Sequence, residues 1–94
     1  MQHATAERRS AARFQVGLPV IMDGHECALH QLSPRGLLLK SSVPPIVGKE
    51  VSLELRYEAE DGTRCTVVVT GYVLRVQLQI EAFLVAVQLH EPLF

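Results

Sequence analysis

The chain has no tryptophan, two cysteines and few aromatic residues, which make up 5% of its 94 residues. Cys27 and Cys65 are far apart in the sequence and do not form the closely spaced C-x-x-C pair typical of zinc sites. We therefore expect two buried free thiols rather than a disulfide or a metal site. A chain of this length has room for one hydrophobic core, so multidomain enzymes are excluded.

The sequence also lacks an uninterrupted apolar run of about 20 residues, the length of a membrane-spanning helix. Residues 1–9 contain Glu7, Arg8 and Arg9 and no apolar stretch of the kind found in secretion signals. We therefore expect a cytoplasmic protein that does not insert into a membrane.

Neither sign of charge dominates, because the chain has nine Lys and Arg residues and ten Asp and Glu residues, for a net charge of -1. The distribution is uneven: residues 1–40 hold five basic and three acidic residues, and residues 41–94 hold four and seven. A pI near 6.4 argues against binding to DNA or RNA, which favours a broad basic surface. A small anion could still bind at the arginine-rich N-terminal end.

Hydrophobic residues make up 48% of the chain, and many alternate with polar residues at the period of two that is typical of half-buried strands. Asp23-Gly24 and Asp61-Gly62 are typical of tight hairpin turns. The pattern predicts six strands, over residues 14–22, 25–32, 37–41, 51–57, 65–76 and 80–89. No segment has a convincing helical period, so we expect an all-β fold, either a small antiparallel barrel or a sandwich.

Two residues interrupt this strand pattern. Pro19 has no N–H to donate, so we expect an edge or a bulge at that point of the first strand. Gly71 lies in the middle of the fifth strand and suggests a bend or bulge there.

Candidate catalytic groups are scarce. The imidazoles are His3, His25, His30 and His90, and none belongs to a recognisable nucleophile motif. We expect no enzymatic activity, no metal site and no cofactor.

Two segments carry chemistry that folding alone does not require. The first is Arg8-Arg9-Ser10-Ala11-Ala12-Arg13, with three guanidinium groups in six residues. The second is Gln31-Leu32-Ser33-Pro34-Arg35-Gly36. Taken separately, they could be a solvated basic terminus and an ordinary loop with a glycine at positive φ.

In this order, and separated by one hairpin, the two segments resemble the motifs of the PilZ domain family over residues 7–91. That family has an R-x-x-x-R element before the first strand of a six-stranded barrel and a [D/N]-x-S-x-x-G element after the second. Arg9 and Arg13 match the first element, with Arg8 as a preceding arginine, and Ser33 and Gly36 match the second. Gln31 departs from the pattern, since it stands where the family has Asp or Asn.

The resemblance implies a flexible N-terminal arm over residues 1–13 and a small six-stranded antiparallel β-barrel over residues 14–94. It also implies a non-enzymatic bacterial receptor for the second messenger cyclic di-GMP, of the kind that regulates motility or biofilm formation. The residues that would contact the nucleotide are Arg8, Arg9, Arg13, Gln31, Ser33 and Gly36.

Guanidinium groups suit this ligand because they pair with phosphate oxygens and stack on purine faces. Binding would change the conformation of the arm and so regulate a protein partner. The alternative is a degenerate PilZ-like adaptor that has lost the nucleotide and acts through protein contacts in pilus or motility machinery. The sequence leaves a homodimer open.

Overall fold

Six antiparallel strands form a closed barrel in the computed structural model, which describes residues 17–93. The strands are β1 (Pro19–Met22), β2 (His25–Ser33), β3 (Gly36–Ser41), β4 (Glu50–Glu58), β5 (Arg64–Leu78) and β6 (Phe83–Leu89). Their order around the barrel is β1-β2-β3-β6-β5-β4. The predicted six-stranded barrel is confirmed and the sandwich is excluded. The proposed arm, with Arg8, Arg9 and Arg13, lies outside the described residues.

The turn between β1 and β2 forms where the Asp-Gly pair predicts it. Asp23 and Gly24 have φ angles of 49° and 88°, the left-handed conformation of a two-residue hairpin turn. The Asp23 carboxylate also accepts a hydrogen bond of 2.9 Å from the backbone N–H of Ser52. This contact joins the turn to β4. The second pair, Asp61-Gly62, lies in a wider loop in which only Gly62 has a positive φ, of 87°.

The core is built from inward-facing side chains of all six strands. It contains 13 buried apolar residues, and Leu39, Leu53 and Leu55 have no exposed surface. The hydrophobic alternation of β4 runs through Val51, Leu53 and Leu55, all of which are buried. Burial of a side chain of this size contributes about 1.5–3 kcal/mol to folding. No helix long and apolar enough to cross a membrane occurs between residues 17 and 93.

Two predicted strand ends are wrong. The predicted first strand begins at residue 14, and residues 14–16 lie outside the described part of the chain. Within that part β1 starts at Pro19, after Gly17, whose φ of 91° is not an extended conformation. The missing N–H of Pro19 is tolerated because Pro19 is the first residue of the strand. The sixth strand was expected from Ile80, which instead lies in the β5–β6 turn and is 99% exposed. That turn closes with a hydrogen bond of 2.8 Å from Gln79 N to Ala82 O.

Gly71 does not mark a bulge. The register of β5 against β6 shifts between Val73 and Arg75, so the extra residue is Leu74. Gly71 instead lies where β6 comes very close, because a Cβ at this position would overlap the backbone carbonyl of Gln88. Glycine is required there by steric contact with a backbone rather than by a bend.

Both cysteines are free, as the sequence predicts, but only Cys27 is fully buried. Cys65 is half-buried, which corrects the expectation of two buried thiols. The reason is that the β4–β5 hairpin extends beyond the point where β6 ends, since β6 pairs with β5 only from Gly71 onward. Cys65 lies near the tip of this extension, where its partner across the hairpin, Tyr57, is also only partly buried.

We expect iodoacetamide to modify native protein rapidly at Cys65 and slowly at Cys27. Burial raises the pKa of the Cys27 thiol, so both its thiolate fraction and its accessibility are low. Intact-mass spectrometry at mildly alkaline pH should show one adduct per native chain and two in denaturant. A Cys65→Ser variant should stay unlabelled while folded. Equal labelling rates in the native protein would contradict the burial of Cys27.

Candidate functional site

The Gln31–Gly36 segment forms the end of the β2–β3 hairpin. Ser33 and Gly36 are paired across a two-residue turn made of Pro34 and Arg35. The Ser33 hydroxyl donates a hydrogen bond of 3.2 Å to the carbonyl of Gly36. Gly36 is the first residue of β3 and does not have a positive φ. The interpretation of this segment as an ordinary loop with a glycine at positive φ is therefore wrong.

The turn is hydrogen-bonded to the last residue of β6 and to the segment that follows β6. The N–H of Leu89 donates to the carbonyl of Arg35 at 2.8 Å, and the N–H of Leu93 donates to that of Pro34 at 2.6 Å. These two bonds hold both turn residues. The backbone of the second motif is therefore a fixed part of the barrel.

A β-bulge in β2 decides where Gln31 lies. The register between β2 and β3 shifts between Leu29 and Gln31, which makes His30 the extra residue. Without the bulge, Gln31 would lie on the same face as buried Leu29 and point into the core. With it, His30 and Gln31 are both exposed, and Leu32 takes the inward position and packs against the core.

The bulge at Leu74 has the same effect in β5. Val73 is fully buried, Leu74 and Arg75 are exposed, and Val76 packs against the core. A regular strand would direct Arg75 inward with Val73. The two bulges therefore place a glutamine and an arginine on the outer surface of the barrel.

These residues line one open cavity on the outer surface of β2, β3, β6 and β5, with a volume of about 300 Å³. Three of the predicted site residues, Gln31, Ser33 and Gly36, line it together. Its other lining residues are Leu32, Leu37, Leu38, Leu74, Arg75, Ala86, Val87 and Gln88. The structure therefore brings the three described members of the predicted site into one place.

Arg75 is the site residue that the sequence reasoning missed. It pairs with Ala86 of β6 and is the one charged residue of the cavity lining. No carboxylate lines the cavity within residues 17–93. The signal in the sequence was the phase change of the hydrophobic pattern from Val73 to Val76, which is the mark of a bulge. A guanidinium, an amide and a hydroxyl above apolar side chains suit a flat, anionic ligand.

Gly17, the first residue that the structure describes, lies beside β2 close to this cavity. The N–H of Gly17 donates to the carbonyl of Leu29 at 2.7 Å, and the N–H of Leu29 donates to Leu18 at 2.8 Å. Because β1 and β2 are antiparallel, the chain enters beside β2 two residues before Gln31. Arg13 is four residues before Gly17, a length of chain that spans at most about 14 Å.

The barrel interior offers no competing site in the described part of the chain. No group of three or more His, Cys, Asp or Glu residues there could hold a metal ion. Every buried side-chain nitrogen or oxygen there has a hydrogen-bond partner, so the interior presents no unpaired polar side chain to a ligand. Among the surface cavities, the candidate site is the one that Gln31, Ser33 and Gly36 line together.

No protein-family model, curated protein or solved structure matches the chain.

Proposed function

We propose that the chain is a non-enzymatic receptor for cyclic di-GMP, of the PilZ type that its two motifs resemble. The observation that carries this proposal is the convergence of Gln31, Ser33 and Gly36 with Arg75 on one cavity. The position of Gly17 beside Leu29 supports it, because the arginines of the first motif precede Gly17 by four to nine residues in the sequence.

The chemistry divides between the barrel and the arm. Gln31 and Ser33 present a carbonyl and a hydroxyl that can bind the N–H edge of a guanine. Apolar side chains such as Leu38 and Ala86 offer a surface for the purine face. A cavity of about 300 Å³ is at the lower limit for ligand sites, so it would hold only part of a cyclic dinucleotide.

The arm would contact the part of the ligand that the cavity does not hold. Cyclic di-GMP carries two phosphodiester charges, and the arm supplies Arg8, Arg9 and Arg13. Charge-assisted, forked hydrogen bonds from guanidinium to phosphate are among the strongest polar contacts in proteins. Ligand binding would hold the arm against the barrel, and this change would be the signal that a partner reads.

Isothermal titration calorimetry with cyclic di-GMP at about 0.15 M salt tests the proposal. We expect saturable binding in the micromolar range and much weaker binding of cyclic di-AMP, which lacks the guanine N–H edge. Amide NMR during the same titration should shift residues 7–13 and 31–36 together. Absence of binding at tens of micromolar ligand would refute the receptor function.

Arg75→Ala is expected to weaken cyclic di-GMP binding by roughly 10-fold to 150-fold, the effect of about 1.5–3 kcal/mol for a hydrogen bond to a charged group. Arg75→Lys should recover part of the loss, because it keeps the charge but not the forked geometry. Arg64→Ala, at the other end of β5 and outside the cavity lining, is the matched control and should bind like the parent. Calorimetry measures all three. Unchanged affinity of Arg75→Ala would remove Arg75 from the site.

A second candidate function is the PilZ-like adaptor that acts only through protein contacts. Gln31 in place of an Asp or Asn favours it, and so does an apolar end of the barrel. Five of the seven exposed large apolar residues of the described chain lie at or next to the β3–β4 and β5–β6 connections. They are Val43, Ile46, Val47, Leu78 and Ile80. Both connections lie at the same end because β3 and β5 each run antiparallel to β6.

The hypothesis of an adaptor that acts through protein contacts makes a separate prediction. Binding of its protein partner would be unaffected by cyclic di-GMP and by substitution of Arg9 or Arg13, but lost on Ile46→Asp or Ile80→Asp. If the chain is a receptor, binding of the protein partner should instead depend on cyclic di-GMP and on Arg9 and Arg13.

A further inference from the structure

Within residues 17–93, the first half of β5 is paired on one side only. β5 has 15 residues, and β4 pairs with it from Arg64 to Tyr72. β6 pairs with it only from Gly71 onward, and the last contact on that side is a hydrogen bond of 3.0 Å from His90 N to Thr70 O. Between residues 17 and 93, no other strand pairs with residues 64–69 on that side. The barrel is closed, but its longest hairpin carries an open edge.

The hydrogen bonds around residues 70–73 show which backbone groups face this edge. Thr70 directs its carbonyl towards β6, whereas Val73 donates to Lys49 and accepts from Gly48 on the β4 side. The register of β5 against β4 has no shift over this length, so the direction alternates regularly. Thr66 and Val68 therefore present both their N–H and C=O groups to the open edge, while Val67 and Val69 face β4.

Apart from Arg64 at its end, this edge has none of the features with which proteins usually block strand pairing. Residues 65–70 are Cys-Thr-Val-Val-Val-Thr, without a charge, a proline or a bulge. Valine and threonine have high strand propensity, and Val68 is 61% exposed on the outer face. An exposed edge of this composition is a template for a further strand.

We propose that this edge is the interface at which two copies of the chain associate, through antiparallel pairing of β5 with β5 of the second copy. An uncharged β-branched partner strand suits the edge best, and the chain itself supplies one. In an antiparallel pair the two Arg64 side chains lie at opposite ends of the paired segment, so they do not repel each other. Cross-strand pairs of β-branched residues are favourable.

The N-terminal segment of the same chain is the less suitable occupant. Residues 7–13 hold Glu7 and three arginines, whereas residues 65–70 of the edge carry no charge. The proposal is independent of nucleotide binding. It goes beyond the receptor function and would stand if that function failed.

Size-exclusion chromatography with light scattering, in the absence of nucleotide, tests the interface. The parent chain is expected to have the mass of two copies at high concentration and to approach 10.4 kDa on dilution. Val68→Lys and Thr66→Lys place a charge on the edge and should each weaken dimerisation at least tenfold. Val47→Lys is the matched control, because Val47 is 59% exposed at the apolar end of the barrel. This variant should remain dimeric.

Hydrogen exchange of the unaltered chain provides a readout that needs no variant. The N–H groups of Thr66 and Val68 should exchange slowly in the dimer and faster on dilution, whereas those of Val67 and Val69 should not change with concentration. Three results would overturn the proposal. They are a monomer at all concentrations, dissociation by Val47→Lys but not by the edge variants, and protected Thr66 and Val68 amides in a monomer.

Discussion

Gly71→Ala is expected to lower the free energy of unfolding by at least about 3 kcal/mol, the upper part of the usual range for overpacking. A Cβ at this position would overlap the carbonyl oxygen of Gln88 and approach the Cα of Leu89 to 3.1 Å. These are backbone atoms of a paired strand, so no side chain can rotate away. In a domain of this size the loss corresponds to roughly 12–24 °C in Tm, measured by circular dichroism.

Gly24→Ala is the control that separates this steric effect from backbone strain. Gly24 has a φ of 88°, but no atom lies within 4 Å of a Cβ built there. Its substitution should cost about 1 kcal/mol, through the unfavourable left-handed conformation alone. If Gly24→Ala lowered Tm as much as Gly71→Ala, close approach of β6 would not be the reason for glycine at position 71.

Arg9→Ala and Arg13→Ala are each expected to weaken cyclic di-GMP binding by roughly 10-fold to 150-fold, and the double variant to remove detectable binding. Each substitution removes a charge-assisted contact to the ligand, worth about 1.5–3 kcal/mol. Among residues 17–93, Arg75 is the one cationic residue that lines the cavity, whereas the ligand carries two phosphodiester charges. Isothermal titration calorimetry at constant salt measures the losses.

The arginine variants need a control for general charge effects. Arg64→Ala removes the same charge from a site outside the cavity and should leave affinity within twofold of the parent. Circular dichroism should show the same Tm for the Arg9 and Arg13 variants, because the barrel closes within residues 17–93. Retained affinity in both arm variants, with binding by the parent, would place the phosphate contacts on the barrel instead.

Local patterns were sufficient to predict most of the fold. The alternation of Val51, Leu53 and Leu55 predicts β4 with its buried face, because a strand at a barrel surface must present every second residue to the core. Asp23-Gly24 predicts the first turn, because few other residues adopt positive φ at low cost. These features depend on neighbours in sequence, and the structure confirms them.

The candidate site was predicted only in part. Ser33 and Gly36 could be found from their spacing, since the motif is local and its hairpin is a contiguous element. Arg75 belongs to neither motif, and the phase change from Val73 to Val76 indicates only that it lies on the outer face, not which residues lie beside it. Its place depends on the pairing of β5 with β6, which brings together residues distant in the sequence.

The sequence by itself determined the strand periods, the Asp23-Gly24 turn and the spacing of the two motifs, because each of these is set by the preferences of adjacent residues. Only the tertiary structure decided which face Gln31 and Arg75 occupy, through bulges at His30 and Leu74. It also decided that Gly71 meets the backbone of Gln88 and that the first half of β5 has no second neighbouring strand among the described residues. The physical reason is that strand register and barrel closure are fixed by contacts between distant segments, and a shift of one residue reverses the face of every side chain that follows.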